Sequence, residues 1–145
     1  MQSSVSYYDV IIVGAGISGI GAAYHLQEKC PEKSFTILEG RSTMGGTWDL
    51  FKYPGIRSDS DMYTLGFSFN PWIDDKAIAD GPAILQYIHD TAAKFGIDKK
   101  IQYNHKVKDA SWSDAHQCWT LTVSNNGIEQ TLQCGFLFMC SGYYN

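Results

Sequence analysis

Two glycine-rich runs and three acidic residues carry the chemistry this sequence could do. Gly14-Ala15-Gly16-Ile17-Ser18-Gly19 has GxGxxG spacing. Gly14 suits a tight turn out of a strand, Gly16 the close approach of a pyrophosphate to backbone, and Gly19 close packing of a helix on a sheet. Ile17 and Ser18 would open that helix, whose N-terminal N–H groups and partial positive charge favour an anion. Such an end contributes about 0.3–1 kcal/mol, and up to ~2 kcal/mol in partly buried geometry. Glu39 follows at roughly the 20-residue distance at which an acid accepts hydrogen bonds from a ribose hydroxyl. Its charge would repel a 2′-phosphate, which argues against NADP here. Alone the pattern is weak, and a turn without a ligand is the plainer alternative. A strand directly before it and a helix directly after it are what give it weight.

The second run is Arg41-Ser42-Thr43-Met44-Gly45-Gly46-Thr47-Trp48, followed by Tyr53-Pro54-Gly55-Ile56-Arg57-Ser58-Asp59. A nicotinamide dehydrogenase would usually return here to a helix and a strand. Gly45-Gly46 instead allows close backbone approach to something extended, and Trp48 and Tyr53 could flank a flat ring. The plainer alternative is a structured surface loop with aromatic anchors.

The elements that must position these residues follow from pattern. Tyr8 to Val13 is a β-branched run, read as a buried strand, and Ile17 to Lys29 reads as a helix closed by Cys30-Pro31. Ser34 to Glu39 is a second strand. Residues 41–80 are rich in Gly, Pro, Ser, Asp and aromatics with little periodicity, and so long an irregular segment is usually functional. Pro82 to Phe95 is a helix with Gly96 as its C-terminal stop, and Ile101 to Tyr103 a short strand. Lys106 to Gln133 alternates and breaks near Ser113-Asp114-Ala115-His116 and at Asn125-Asn126-Gly127, which predicts three antiparallel strands. Phe136-Leu137-Phe138-Met139-Cys140 does not alternate, the signature of a separate strand buried on both faces of a parallel sheet. The expected class is α/β, a Rossmann-like βαβ domain with a three-stranded antiparallel β-meander.

Composition narrows the function. The 145 residues suit one domain, and 44% hydrophobic with 18% charged residues is ordinary globular composition. With a net charge of -4 and few, scattered cations, nucleic acid is not an expected partner. No apolar run approaches the roughly 18 residues of a membrane span. Met1-Gln2-Ser3-Ser4 lacks the positive charge of a signal peptide, so the cytoplasm is the expected compartment. Cys30, Cys118, Cys134 and Cys140 form no CxxC pair and have no zinc-like spacing to a His; they read as free thiols, and no metal site is expected.

Taken together, the Gly14–Gly19 run, Glu39, Gly45-Gly46-Thr47-Trp48 and the heptapeptide Tyr53 to Asp59 resemble the N-terminal region of Baeyer–Villiger monooxygenases. Ser60-Asp61-Met62-Tyr63-Thr64-Leu65-Gly66-Phe67 is most similar to the ethionamide-activating group, and Met139-Cys140-Ser141-Gly142-Tyr143-Tyr144-Asn145 is similar too. The resemblance covers essentially the whole chain. It implies that residues 1–145 are an FAD-binding domain, an N-terminal fragment that lacks the NADPH-binding domain and is incomplete relative to the family's two-dinucleotide-domain fold.

The resemblance also implies chemistry. NADPH reduces tightly bound FAD, and oxygen gives a C4a-peroxyflavin that converts a ketone to an ester or a sulfide to a sulfoxide. Gly45, Gly46, Thr47 and Trp48 would line the flavin and its ribityl-pyrophosphate arm, with Asp49 nearby. Val107 would meet the adenine through its backbone, and Ser141-Gly142 would pass close to the pyrophosphate. Asp59 occupies the position of the family's active-site aspartate, which positions an arginine beside the flavin; the bland alternative is a turn or helix cap. That arginine, the second nucleotide motif and the family's His-containing fingerprint are missing, so this chain is not expected to turn over alone, and the remaining polypeptide is an implied partner. A stand-alone flavin-binding module is the alternative, and a nicotinamide-binding protein is disfavoured by Glu39 and the second glycine loop.

Overall fold

The computed structural model of the protein describes residues 5–142. Met1-Gln2-Ser3-Ser4 and Tyr143-Tyr144-Asn145, both used above, lie outside the described residues. Strand β1 (Ser6–Val13) leads into helix α1 (Ile17–Lys29) and strand β2 (Phe35–Leu38). A long irregular stretch follows, with two single-turn helices, α2 (Thr47–Leu50) and α3 (Met62–Leu65). Helix α4 (Gly81–Lys94), a 3₁₀ turn over Ile97–Lys100 and strand β3 (Ile101–Gln102) return the chain to the sheet. Strands β4 (His105–Ser113), β5 (Cys118–Asn125) and β6 (Ile128–Met139) complete it.

The sheet runs β3-β2-β1-β6-β5-β4. Strands β3, β2, β1 and β6 are parallel neighbours, while β4, β5 and β6 form an antiparallel meander. Adjacent residues of β1 feed two different cores. Ile12 packs with Ile20 and Ala23 of α1 and Ile84 and Ile88 of α4, whereas Ile11 packs with Leu121, Val123, Leu132 and Cys134. This is why β1 reads as an unbroken apolar run: it is covered on both faces. Asp9 pins the entry to β2 by accepting from the Ser34 N–H at 2.8 Å and the Ser34 hydroxyl at 3.2 Å. Asp80 caps α4 by accepting from the Ala83 N–H at 2.9 Å, and Gly96 leaves the helix at φ 70°.

The end of the sheet differs from the sequence expectation in two ways. The third meander strand and the final strand are one continuous 12-residue strand, β6. Its first part pairs antiparallel with β5, and from Leu132 onwards it pairs parallel with β1. Gly135, between the two runs read as separate strands, lies within β6; a Cβ there would come within 2.9 Å of the Tyr7 hydroxyl. The Asn125-Asn126-Gly127 turn forms with positive φ at both Asn126 (52°) and Gly127 (86°), as a tight hairpin requires. Second, the run after Gly135 is not buried on both faces. Phe136, Phe138 and Met139 are 56%, 44% and 58% exposed. The helix-side core gathers residues of β1, β2 and β3 but neither Phe136 nor Phe138, so among the described residues that part of β6 is left uncovered.

Candidate functional site

The first glycine turn is built by contact as much as by conformation. Gly14 has φ 110°, and its N–H donates to the Leu38 carbonyl at 2.9 Å. A Cβ on Gly14 would lie 2.4 Å from the Cys140 carbonyl oxygen, and one on Gly19 would lie 1.8 Å from the Gly14 carbonyl oxygen. Larger residues at either position would push apart β1, β6 and the start of α1. Gly16 is the N-cap of α1 and provides no side-chain cap, so the first N–H groups of the helix stay available to a ligand.

Glu39, at the end of β2, is 9% exposed. Its Oε1 accepts from the Ala15 N–H at 2.9 Å, and its Oε2 accepts from the Arg41 N–H at 3.1 Å. These bonds fix the carboxylate against the first turn. An ionised carboxylate has about four acceptor sites, so capacity remains for a hydroxyl from the cleft.

The second glycine loop docks directly on the first. The Gly45 N–H donates to the Ala15 carbonyl at 2.9 Å. Gly46 adopts φ 55° and ψ -123°, and a Cβ on it would sit 3.0 Å from the Gly16 Cα. The Leu50 N–H donates to the Gly46 carbonyl at 2.8 Å, which closes α2. Asp49 on that turn is buried beneath the loop, where its Oδ2 lies 2.9 Å from Arg41 Nη2 and its Oδ1 3.5 Å from Lys52 Nζ.

These pieces enclose a cleft of about 460 Å³ across the C-terminal ends of β1, β2 and β6. That is the crevice where open α/β sheets take ligands. Of the residues expected to bind cofactor, Gly14, Gly16, Ile17, Ser18 and Glu39 line it from the first turn and β2. Gly45, Gly46, Thr47 and Trp48 line it from the second loop. Val107 joins them at a β-bulge of β4, and Ser141 and Gly142 close the β6 end. Around the cleft, burial pushes the Cys140 thiol above its ordinary pKa, and burial with the nearby Asp98 and Glu39 charges does the same to Tyr103.

Four expected residues do not line this cleft. Gly19 lies behind it as a packing residue, and Asp49 lies beneath it. Tyr53 lines a second cleft of about 850 Å³, together with Arg57, Lys52, Lys76 and Asp80. Trp48 is a wall shared by both clefts. Asp59 is exposed and lines neither. It sits on a bend held by buried Ser58, whose hydroxyl donates to the Ser60 carbonyl at 2.7 Å. Nor is it a helix cap: Asp61 caps α3, accepting from the Thr64 N–H at 3.0 Å.

A family described as an NAD(P)-binding Rossmann-like domain matches residues 12–75, the span that contains both glycine loops. The FAD-containing monooxygenase EthA of Mycobacterium tuberculosis is 61% identical over 139 residues, 96% of this chain and 28% of that protein. The chain is homologous to the N-terminal part of the FAD-containing monooxygenases. Two solved structures share its fold. A polycyclic ketone monooxygenase from Thermothelomyces thermophila superposes with a TM-score of 0.85 at 25% identity, over 98% of this chain and 24% of that one. OTEMO, solved in complex with FAD and NADP, gives 0.84 at 27% identity, over 97% of this chain and 26% of that one. The chain thus spans about a quarter of the length of the proteins it matches, and the resemblance read from its glycine loops and the Tyr53–Asp59 heptapeptide holds.

The touching glycines, the uncapped start of α1 and the fixed Glu39 carboxylate fit the pyrophosphate and ribose of a dinucleotide. Sequence reasoning missed Arg41, Leu50, His105, Lys106, Met139 and Cys140, all of which also line the cleft. For Arg41 a signal existed: a cation two residues after Glu39, in the same loop as an acid, Asp49, that follows the second glycine pair. Among the described residues, no group of His, Cys, Asp and Glu could hold a metal ion, and no helix is long and apolar enough to cross a membrane.

Proposed function

We propose that this chain is the FAD-binding portion of an NADPH- and O2-dependent monooxygenase that oxidises small ketones or sulfides. The observation that carries the reading is the contact between Gly16 and Gly46, which joins a dinucleotide turn to a second glycine loop in a chain 61% identical to an FAD-containing monooxygenase. Bound FAD supplies the ring that takes electrons from NADPH and passes them to oxygen. The chain's own residues bind and orient. The start of α1 at Gly16, Ile17 and Ser18 faces the pyrophosphate, and Glu39 accepts from the adenosine ribose. Val107, Ser141 and Gly142 flank the adenine and phosphate ends. Gly45, Gly46 and Thr47 follow the arm towards the ring, with Trp48 at its side and Tyr53 beyond it in the second cleft. Asp59, at its exposed bend, is assigned to pair with an arginine supplied by the rest of the polypeptide, which is also assigned the NADPH site. The four free thiols favour the cytoplasm.

The test begins with titration of FAD into the purified chain, followed by the visible spectrum and by quenching of flavin fluorescence. Saturable binding with a shifted flavin band is the expected result, and a colourless protein that FAD does not titrate would sink the reading. NADPH-dependent oxygenation of a ketone or sulfide, measured in the longer polypeptide, then tests the reaction class. Flavin binding without such oxygenation would leave a flavin-binding module instead.

A further inference from the structure

We infer that Arg41 is a pyrophosphate-binding residue and that Asp49 is the residue that positions it; the inference rests on the dinucleotide reading of the cleft. Arg41 leaves the end of β2 two residues beyond Glu39 and lines the cleft. Its side chain is 41% exposed, while that of Asp49 is only 7% exposed. Nη2 lies 2.9 Å from Asp49 Oδ2, and Nη1 reaches to 3.5 Å from the Gly46 carbonyl oxygen. Gly46 in turn abuts Gly16, the N-cap of α1. The guanidinium is therefore held at the junction of the two glycine loops, beside the helix N-terminus.

The arrangement has a direction. A buried carboxylate needs a cation, and Asp49 has a near one in Arg41 and a farther one in Lys52, 3.5 Å away and 67% exposed. A guanidinium has five N–H donors in a rigid fork, and the two contacts above leave donors free on the cleft side. An anion entering the cleft meets a cation already oriented by a carboxylate on its far side. That lowers the ordering cost of forming a charge-assisted hydrogen bond. The second glycine loop thereby does more than line the cleft: through Asp49 it fixes a cation whose backbone belongs to the first half of the site.

The test compares ADP, adenosine and FAD on the purified chain by calorimetry and fluorescence, with Arg41→Gln, Arg41→Lys and Asp49→Asn. Arg41→Gln is expected to weaken ADP and FAD binding by about tenfold to a hundredfold, the loss for one hydrogen bond to a charged group. Adenosine binding should stay within about twofold of the unsubstituted chain. The salt dependence of ADP binding should become shallower in the same variant. Arg41→Lys should fall between the two. Asp49→Asn should weaken ADP binding when Arg41 is present and add nothing to Arg41→Gln, because the two residues act as one unit. Equal losses for ADP and adenosine in Arg41→Gln, or no loss for ADP, would overturn the inference and leave the pair a structural tie between loops. Absence of ADP and FAD binding in the unsubstituted chain would overturn the dinucleotide reading itself, and is seen before any variant is made.

Discussion

Gly46 lies against Gly16 so closely that a Cβ on Gly46 would sit 3.0 Å from the Gly16 Cα. The contact joins a loop that the sequence places thirty positions later to the N-cap of α1. It also explains why a glycine stands on each side. At φ 55° and ψ -123°, Gly46 is outside the regions open to other residues. Gly46→Ala is therefore expected to cost about 1–3 kcal/mol of stability from backbone strain. It should weaken FAD binding further by separating the loops. Urea unfolding and flavin fluorescence titration measure the two effects separately; an alanine variant with unchanged stability and affinity would remove the loop contact from the account.

Glu39 gives a second, chemically different expectation. Both its oxygens hold backbone N–H groups, from Ala15 and from Arg41. An amide oxygen can replace only one of the two acceptors, so Glu39→Gln should leave one of these N–H groups unpaired and cost about 1–3 kcal/mol. Adenosine and FAD binding should weaken. The negative charge also disappears, so discrimination against 2′-phosphorylated adenosine nucleotides should shrink relative to their 2′-hydroxyl counterparts. Calorimetry with the matched pair of nucleotides reads that ratio, and an unchanged ratio would mean that the carboxylate charge does not select the ribose.

Much of this site was legible in sequence because it is local. The turn from Gly14 to Gly19 lies between an apolar run and a helix whose bounds, Ile17 to Lys29, match those read from spacing. Residues whose roles depend on three-dimensional neighbours were not legible in the same way. Asp49 reads as one more loop carboxylate, and only its burial against Arg41 separates it from a surface acid. Asp59 has a recognisable position in its heptapeptide, yet the sequence does not state where the bend at Ser58 and Ser60 points it. The unbroken course of β6 was not legible either: Gly135, between the two runs read as separate strands, lies within it and makes room for the Tyr7 hydroxyl.

Cys134 makes a pH prediction. It is fully buried in the core between the meander and β1, and burial pushes its thiol from the ordinary 9.0 up to about 11. The folded state keeps the proton where the unfolded chain has already lost it. The thiol's contribution is thus fully present below about pH 9, declines as pH rises from about 9 to about 11, and is gone above that. Cys134→Ala should lower stability at neutral pH through lost packing, and its stability should then fall less steeply across that window. Chemical denaturation of both proteins at several alkaline pH values gives the two slopes, and parallel slopes would show that Cys134 does not titrate as described.

The apolar end of β6 sets the last expectation. Phe136 and Phe138 lie with ring centroids 6.0 Å apart and form an exposed apolar pair on a strand whose earlier residues, Leu132 and Cys134, are buried. Neighbouring exposed large apolar side chains of this kind favour association or a covering partner. The 145-residue chain should therefore self-associate in a concentration-dependent way. Phe136→Thr with Phe138→Thr should reduce that association while preserving strand propensity, since threonine suits a half-exposed strand. Sedimentation velocity over a range of concentrations is the measurement. A monomer at every concentration would show that the pair does not drive association. Association that persists undiminished in the double variant would place the sticky surface elsewhere, with exposed Ile73 and Tyr53 as the next residues to replace.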